Sequence, residues 1–193
     1  QSVPHLRIVS HMTNLTDSFR RAESPLRDVI SAAPSANWSS PSPCEDWTAA
    51  DVVSHMIDTQ REFLAGKGVA LPDAPTVDVD PAQAWVAHVS AIEPVIADDA
   101  LMATPYDGHF GPTTIGDTIR DFYVFDMVAH RWDIATATGQ ETHFTGEELD
   151  QLDKGMDGFG PALYMPGVAK AGVEAPQGAT REEQVLARMG RQA

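Results

Sequence analysis

Residues 122–135 read Phe122-Tyr123-Val124-Phe125-Asp126-Met127-Val128-Ala129-His130-Arg131-Trp132-Asp133-Ile134-Ala135. Apolar residues surround the axis of this segment at helical spacing, which is typical of a helix packed on most of its sides. Asp126, His130 and Asp133 follow one another at steps of four and three residues, so they share one face of that helix. A buried carboxylate without a partner costs several kcal/mol. We therefore expect a charged side chain or a metal ion to compensate the carboxylates on this face.

Other segments of the chain predict further helices, and strand signals are scarce. Helical spacing of apolar residues, together with capping residues, predicts helices over 15–32, 48–64, 82–97, 114–138, 145–158 and a short last one from 180. A loop that can hold short extended pieces is expected over 103–113, just before the helix that carries Asp126. The predicted fold class is all-α: a helical bundle with one long crossover connection and a C-terminal helical extension.

Composition and charge exclude several classes of function. The 193 residues include 13 Lys and Arg against 28 Asp and Glu, a formal charge of −15, which repels nucleic acid and anionic lipid. The chain has one cysteine, Cys44, and so forms no internal disulfide, which fits a reducing cytoplasm. No run of about 18 apolar residues is present, so no transmembrane helix is expected.

The first dozen residues differ from the rest. Residues 1–12 show no periodic pattern, and Ser10-His11-Met12 resembles a cloning scar before a start methionine. We expect residues 1–12 to be a leader of foreign origin and residues 13–193 to form a single domain.

His55, on the second predicted helix, is the third candidate metal ligand. It lies on an inward stripe with Val52, Met56, Thr59 and Phe63. Two histidines and a carboxylate from two packed helices form a three-ligand metal site and leave one coordination position open. The alternative is a simple ion pair between Asp126 and His130, with His55 a hydrogen-bonded core histidine.

Five further residues carry weaker signals. Asp133 is a candidate to orient His130 or to move protons, or else a surface acid. His109, in a Gly-flanked loop, either reaches the mouth of the site as a proton-moving group or is simply exposed. Cys44, near a helix N-terminus, is either a reactive thiol or a small packed residue. His88 is expected in the core or on the surface, and His143 in solvent.

Two motifs resemble a known family. Residues 42–55 read Ser42-Pro43-Cys44-Glu45-Asp46-Trp47-Thr48-Ala49-Ala50-Asp51-Val52-Val53-Ser54-His55, and residues 126–140 continue from Asp126-Met127-Val128-Ala129-His130 to Ala137-Thr138-Gly139-Gln140. Both resemble segments of DinB-like metal-binding proteins and, more narrowly, the N-terminal domain of mycothiol-dependent maleylpyruvate isomerase. Order and separation agree, and the resemblance extends from Met12 to Arg191.

The resemblance implies a DinB-like four-helix bundle with a divalent metal between its helices. The family's two histidine ligands correspond to His55 and His130, and its carboxylate ligand to Asp126. Zinc is the first expectation, with nickel or iron also compatible with these ligands. The isomerase has Glu where this chain has the shorter Asp126, so the metal would lie closer to the helix or be held more weakly. It also has a further C-terminal domain, for which this chain is too short, so maleylpyruvate isomerisation itself is not expected.

The function that this resemblance implies is a metal-dependent thiol transferase or isomerase. It would use a low-molecular-weight thiol such as mycothiol on a small electrophilic substrate in the cytoplasm. The alternatives are a non-catalytic, stress-associated metal-binding protein of the DinB-like group, and a metal-free module for an apolar ligand. The expected partners are therefore the thiol and the electrophile, with neither nucleic acid nor membrane. The sequence leaves open whether the protein forms a homodimer.

Overall fold

The computed structural model describes residues 5–164 and 171–192. Along the chain these form α1 (His5–Ala32), α2 (Ala49–Gly66), α3 (Pro81–Ile96), α4 (Asp99–Met102), β1 (Pro105–Gly108), β2 (Gly111–Thr114), α5 (Ile115–Thr118), a π-helical turn (Ile119–Val124), α6 (Phe125–Thr138), α7 (Gly146–Phe159) and α8 (Arg181–Arg188). Single 3₁₀ turns cover Ser35–Asn37 and Gly160–Tyr164. Within the described residues, helices dominate, which confirms the predicted all-α class.

The chain divides into two compact units, residues 1–140 and residues 141–193. In the first unit, α1 packs against α3 and α6, and α2 packs against the same two helices. These four helices therefore form a bundle in which α1 and α2 occupy opposite corners. In the second unit, α7 packs on α8. The expectation of a single domain over residues 13–193 stays a prediction.

Capping residues explain where the helices of the bundle begin and end. The Thr48 side chain accepts a hydrogen bond from the backbone N–H of Asp51, whose carboxylate accepts one from the Thr48 N–H in return. Thr114 caps α5 through the N–H of Asp117. Gly139 ends α6 at φ 75°, in the left-handed region that favours glycine. These boundaries confirm the sequence-based ones.

Two local features differ from the expectations. Helix α1 begins at His5 rather than at residue 15, so its backbone runs into the segment expected to be a leader, whose origin stays a prediction. The expected loop over 103–113 contains most of an antiparallel hairpin, with Tyr106 opposite Thr113. Each strand has only four residues, too few to show an alternating pattern in the sequence.

The predicted helix over 114–138 is one helical path, but the π-helical turn interrupts it between α5 and α6. Beyond that turn, α6 is buried on nearly every side: eleven of its fourteen residues are buried, among them Asp133 and Trp132. Helix α6 packs against both α1 and α2, which accounts for its apolar circumference.

A buried carboxylate joins two corners of the bundle. Glu23 on α1 is 1% exposed and accepts a hydrogen bond from Trp85 Nε1 on α3 at 3.1 Å. Arg27, one turn along α1, pairs with the same carboxylate. Glu23 is thus satisfied by an indole donor and a guanidinium, as a buried charge requires. Among the described helices, none is long and apolar enough to span a membrane.

We expect Gly139→Ala to lower the free energy of unfolding by about 1–2 kcal/mol, because an L-residue is strained at a left-handed φ. A Cβ at Gly139 meets only Asn37, at 4.0 Å, so steric overlap contributes nothing. Urea denaturation of the two proteins measures the difference. Gly66→Ala is the matched control, since Gly66 ends α2 without a positive φ and with open space around it. Equal destabilisation by both changes would contradict the conformational explanation.

Candidate metal centre

Two helices bring the three predicted ligands together. His55 Nε2 on α2 lies 3.3 Å from Asp126 Oδ2 on α6, and His130 Nε2 lies 3.7 Å from Asp126 Oδ1. One donor atom from each residue lies within 4.8 Å of the other two. Ligand bonds of about 2.0–2.2 Å in a tetrahedral zinc site place donor atoms roughly 3.3–3.6 Å apart. The donor set and its spacing therefore fit a divalent cation.

Hydrogen bonding at Nδ1 fixes the other side of the His130 ring. Its Nδ1 lies 2.8 Å from Asp133 Oδ2, and Asp133 is fully buried. The Cys44 thiol donates to the same carboxylate oxygen at 3.4 Å. With its Nδ1–H donated to Asp133, His130 presents Nε2 towards Asp126 and His55. A carboxylate behind a histidine in this way fixes the ring's orientation and raises its basicity as a ligand.

The charges around His130 dominate its proton affinity. Burial lowers the pKa of the His130 imidazole, but the negative charge of Asp126 and the hydrogen bonds with Asp133 and Cys44 outweigh burial and raise the pKa to about 10. Without a cation, His130 therefore carries a proton at neutral pH and balances the two carboxylates. A metal ion bound at Nε2 takes the place of that proton.

One side of the cluster is open to solvent. The side chains of His55 and Asp126 are 27% and 31% exposed, whereas His130 is 8% exposed. The Trp47 ring packs against His55, with ring centroids 4.6 Å apart, and lies 6.4 Å from the His130 ring. The cluster thus has a buried floor at His130, an aromatic side wall at Trp47 and an accessible edge between His55 and Asp126.

Sequence reasoning gave too little weight to two residues of this site. Cys44, expected to be either a reactive thiol or a small packed residue, is half-buried and within hydrogen-bonding distance of Asp133. Tyr123, one helical turn before Asp126, was not singled out. Burial, and then the charge of Asp126, raise the pKa of the Tyr123 phenol, so it keeps its proton. Tyr123 lies three residues before Asp126, and this spacing could have placed the two residues on one helix face.

The remaining candidates lie elsewhere. His109 is exposed in the hairpin turn, with its ring against Phe110 at 4.8 Å, and is not a member of the cluster. His143 is exposed beside Glu182 in the second unit. His88 is fully buried on α3, where its Nε2 lies 3.0 Å from Gln60 Oε1. The proton-moving roles expected of Asp133 and His109 stay predictions.

Comparison with known proteins supports the resemblance noted from the motifs. Residues 19–100 match the family described as the mycothiol maleylpyruvate isomerase N-terminal domain. Two uncharacterised proteins of Mycobacterium tuberculosis, from strains CDC 1551 and H37Rv, are each 24% identical over 152 residues, which cover 78% of this chain and 82% of theirs. No solved structure matches the chain significantly. The matched segment contains His55 and Cys44 but ends before Asp126, so the carboxylate and second histidine rest on the geometry above.

We expect His88 to make the protein less stable in acid. Burial, with a contribution from the positive charge of Arg61, lowers the pKa of His88 from 6.5 to about 4. Since the unfolded chain takes up this proton first as the pH falls, the stabilisation is complete above pH 6.5. It declines between pH 6.5 and 4, by up to about 3 kcal/mol.

Urea denaturation at pH 4.5 and pH 7 tests this expectation. The loss of free energy of unfolding between the two values should be smaller in His88→Phe than in the unaltered protein. His143→Phe, at an exposed histidine, is the control and should retain the full loss. If His88→Phe lost as much free energy of unfolding between pH 7 and pH 4.5 as the unaltered protein, His88 would not be the group that titrates.

Proposed function

We propose that this protein is a metal-dependent thiol transferase or isomerase, with a divalent cation, zinc first, held by His55, Asp126 and His130. A low-molecular-weight thiol such as mycothiol would be its co-substrate and a small electrophile its substrate. The observation that carries the proposal is the convergence of two imidazoles and one carboxylate, from two helices, within 4.8 Å. The match of residues 19–100 to a mycothiol isomerase domain supports the choice of a thiol.

Within this proposal the cation supplies an open coordination position and lowers the pKa of a bound thiol towards neutrality. His130 is the rigid ligand, because Asp133 and the surrounding core fix its ring. His55 and Asp126, on the accessible edge, admit the thiol. Trp47 packs against the His55 ring and forms an apolar wall beside the open position. Asp133 sits behind His130 and acts on the cation only through that ring.

An enzyme is favoured over a non-catalytic metal-binding protein by the number of donors. Among the described residues, the group that contains His55 and Asp126 has three members, and His109 is not one of them. Closed structural zinc sites use four protein ligands, whereas catalytic sites use three and keep one position for water or substrate. The open edge between His55 and Asp126 is consistent with the catalytic arrangement. We place the activity in the cytoplasm, where Cys44 stays reduced.

We expect His55→Ala and His130→Ala each to abolish retention of a stoichiometric metal ion while the helix content stays largely unchanged. Elemental analysis of residues 13–193 measures the metal, since His5 and His11 would bind metal ions independently. His109→Ala and His143→Ala are the matched controls and should retain the ion. Metal retained in both of the first two variants would overturn the ligand assignment.

We expect Asp133→Asn to weaken metal affinity about 10–100-fold, because an amide holds the His130 ring less firmly and makes it a poorer ligand. Asn has the same shape as Asp, so the core should remain packed. Competition with a chromogenic chelator gives the dissociation constants. Asp121→Asn removes an exposed carboxylate from the same helical path and should leave the affinity unchanged. Equal affinities in Asp133→Asn and the unaltered protein would show that Asp133 does not support the ligand.

Isothermal titration of the metal-loaded protein with mycothiol tests the thiol itself. We expect heat of binding and a raised melting temperature, both lost in the metal-stripped protein, because ligand binding to the folded state stabilises it. Neither heat nor a shift in melting temperature with fully loaded protein would exclude mycothiol as the co-substrate. The metal assignment would be unaffected by that result.

A further inference from the structure

A second group of metal-binding atoms lies on the other side of the His130 ring. Cys44 Sγ lies 3.4 Å from Asp133 Oδ2 and 3.9 Å from His130 Nδ1, and the last two atoms are 2.8 Å apart. The three residues thus form a compact donor set, as His55, Asp126 and His130 do. The two sets share His130 but use opposite nitrogens of its ring. We call Cys44 Sγ, Asp133 Oδ2 and His130 Nδ1 the cysteine cluster.

The spacing of the cysteine cluster fits one cation. Bonds of about 2.0–2.3 Å from a tetrahedral metal ion to nitrogen, oxygen and sulfur place the ligand atoms roughly 3.3–3.7 Å apart. The two separations from Cys44 Sγ, 3.4 and 3.9 Å, lie close to this range. The third separation, 2.8 Å, is a hydrogen bond between Nδ1 and Oδ2. These two atoms need to move apart by about half an ångström when an ion replaces the proton between them.

The cysteine cluster combines two buried ligands with one that solvent reaches. His130 and Asp133 are buried on α6, whereas Cys44 is half-buried on the connection between α1 and α2. The backbone of Cys44 is fixed on both sides, because its N–H donates to Ser42 Oγ and its carbonyl accepts from the N–H of Trp47, each at 3.2 Å. The thiol is therefore held at the accessible side of a largely preformed donor set.

The chemistry of the donors selects a soft divalent cation. A thiolate and a carboxylate supply two negative charges, which balance a divalent ion in a buried site. Thiolate ligands favour soft ions, whereas imidazole and carboxylate ligands without sulfur suit nickel, iron and zinc. Only the cysteine cluster offers sulfur, since Cys44 is the single cysteine of the chain. The two donor sets therefore differ in the ions that they prefer.

The shared ring lets one set be occupied at a time. A neutral imidazole has one nitrogen that accepts and one that carries a proton. When His130 Nε2 binds an ion beside His55 and Asp126, Nδ1 carries the proton that it donates to Asp133. When Nδ1 binds an ion instead, Nε2 carries the proton and is no longer a ligand.

We propose that the cysteine cluster is a second metal site, which takes a thiophilic divalent cation such as Cd²⁺ and thereby displaces the ion from His130 Nε2. Exchange of the two ions releases one proton, from the Cys44 thiol, while the ring proton moves from Nδ1 to Nε2. The displacement rests on the proposed function for the ion at Nε2, whereas the second site itself does not.

Cadmium absorption tests the second site. Because the chain has one cysteine, any thiolate-to-cadmium absorption comes from Cys44. We expect titration of metal-stripped protein with Cd²⁺ to produce this absorption, saturating at one ion per chain, and Cys44→Ser to abolish it. His55→Ala, which removes a ligand of the other set, should retain it. Absence of the absorption from the unaltered protein would overturn the proposal.

A change at Asp133 distinguishes a built site from a thiol that binds cadmium alone. In the His55→Ala background, Asp133→Asn should weaken the cadmium affinity read from this absorption by roughly 100-fold, because it replaces a charged ligand of the ion with a neutral amide. Asp46→Asn is the control, since it removes an exposed carboxylate two residues from Cys44 and Asn tolerates the positive φ found there. Equal affinity in Asp133→Asn and its parent would overturn the proposal.

Ion exchange tests the displacement. Zinc-loaded protein is mixed with one equivalent of Cd²⁺, desalted and analysed for both elements. We expect cadmium to replace zinc in the unaltered protein, and Cys44→Ser to keep most of its zinc, because cadmium then lacks the thiolate ligand. Equal zinc loss in Cys44→Ser would overturn the displacement, as would zinc and cadmium bound together.

The same measurements separate this proposal from the proposed function. If zinc is not retained before cadmium is added, yet the absorption depends on Cys44 and Asp133, the second site stands and the proposed function fails. If zinc is retained and no such absorption develops, the second site fails and the first metal centre stands.

Discussion

The carboxylate of Asp126 lies between two imidazoles and joins α6 to α2 at the candidate site. Helix α6 is buried on almost every side, and Asp126 lies where the helix borders solvent, with 31% of its side chain exposed. Asp126 turns one oxygen to His55 on α2 and the other to His130 on its own helix. Such a group of charges persists in a core only when each member has a partner, whether another side chain or a cation.

The same helix serves the two sides of the site in different ways. Towards the interior, His130, Asp133 and the Cys44 thiol form a closed hydrogen-bonded group that leaves the ring little freedom. Towards α2, Asp126 pairs with His55 at the accessible edge of the site. The connection between α1 and α2 brings Cys44 and Trp47 close to His130. Rigid support and open access therefore come from separate segments of the chain.

Periodicity and capping predicted most of the helices and placed Asp126, His130 and Asp133 on one helical face. Grouping His55 with Asp126 and His130 as a metal site rested on its inward stripe and on the family resemblance. Residues such as Thr48 and Gly139 have local roles that their immediate neighbours reveal. Contacts that depend on tertiary packing could not be predicted from the sequence. Cys44 lies 89 positions from Asp133, and no spacing rule relates the two residues. The loop over 103–113 was expected to hold short extended pieces, but strands of four residues are too short to reveal a hairpin in the sequence. The π-helical turn was not predicted, because the sequence indicated one continuous helix over 114–138.

The π-helical turn at Ile119–Val124 sets the angular phase of everything after it. Such a turn holds about one residue more than an α-helix would in the same rise, which offsets the later side chains by roughly 100°. Loss of a single residue there would restore a regular helix and rotate the segment with Asp126 and His130 relative to the capped start at Thr114. Insertions and deletions should therefore be tolerated in the connector over residues 67–80 but not in this one turn, however conservative the amino acids that remain.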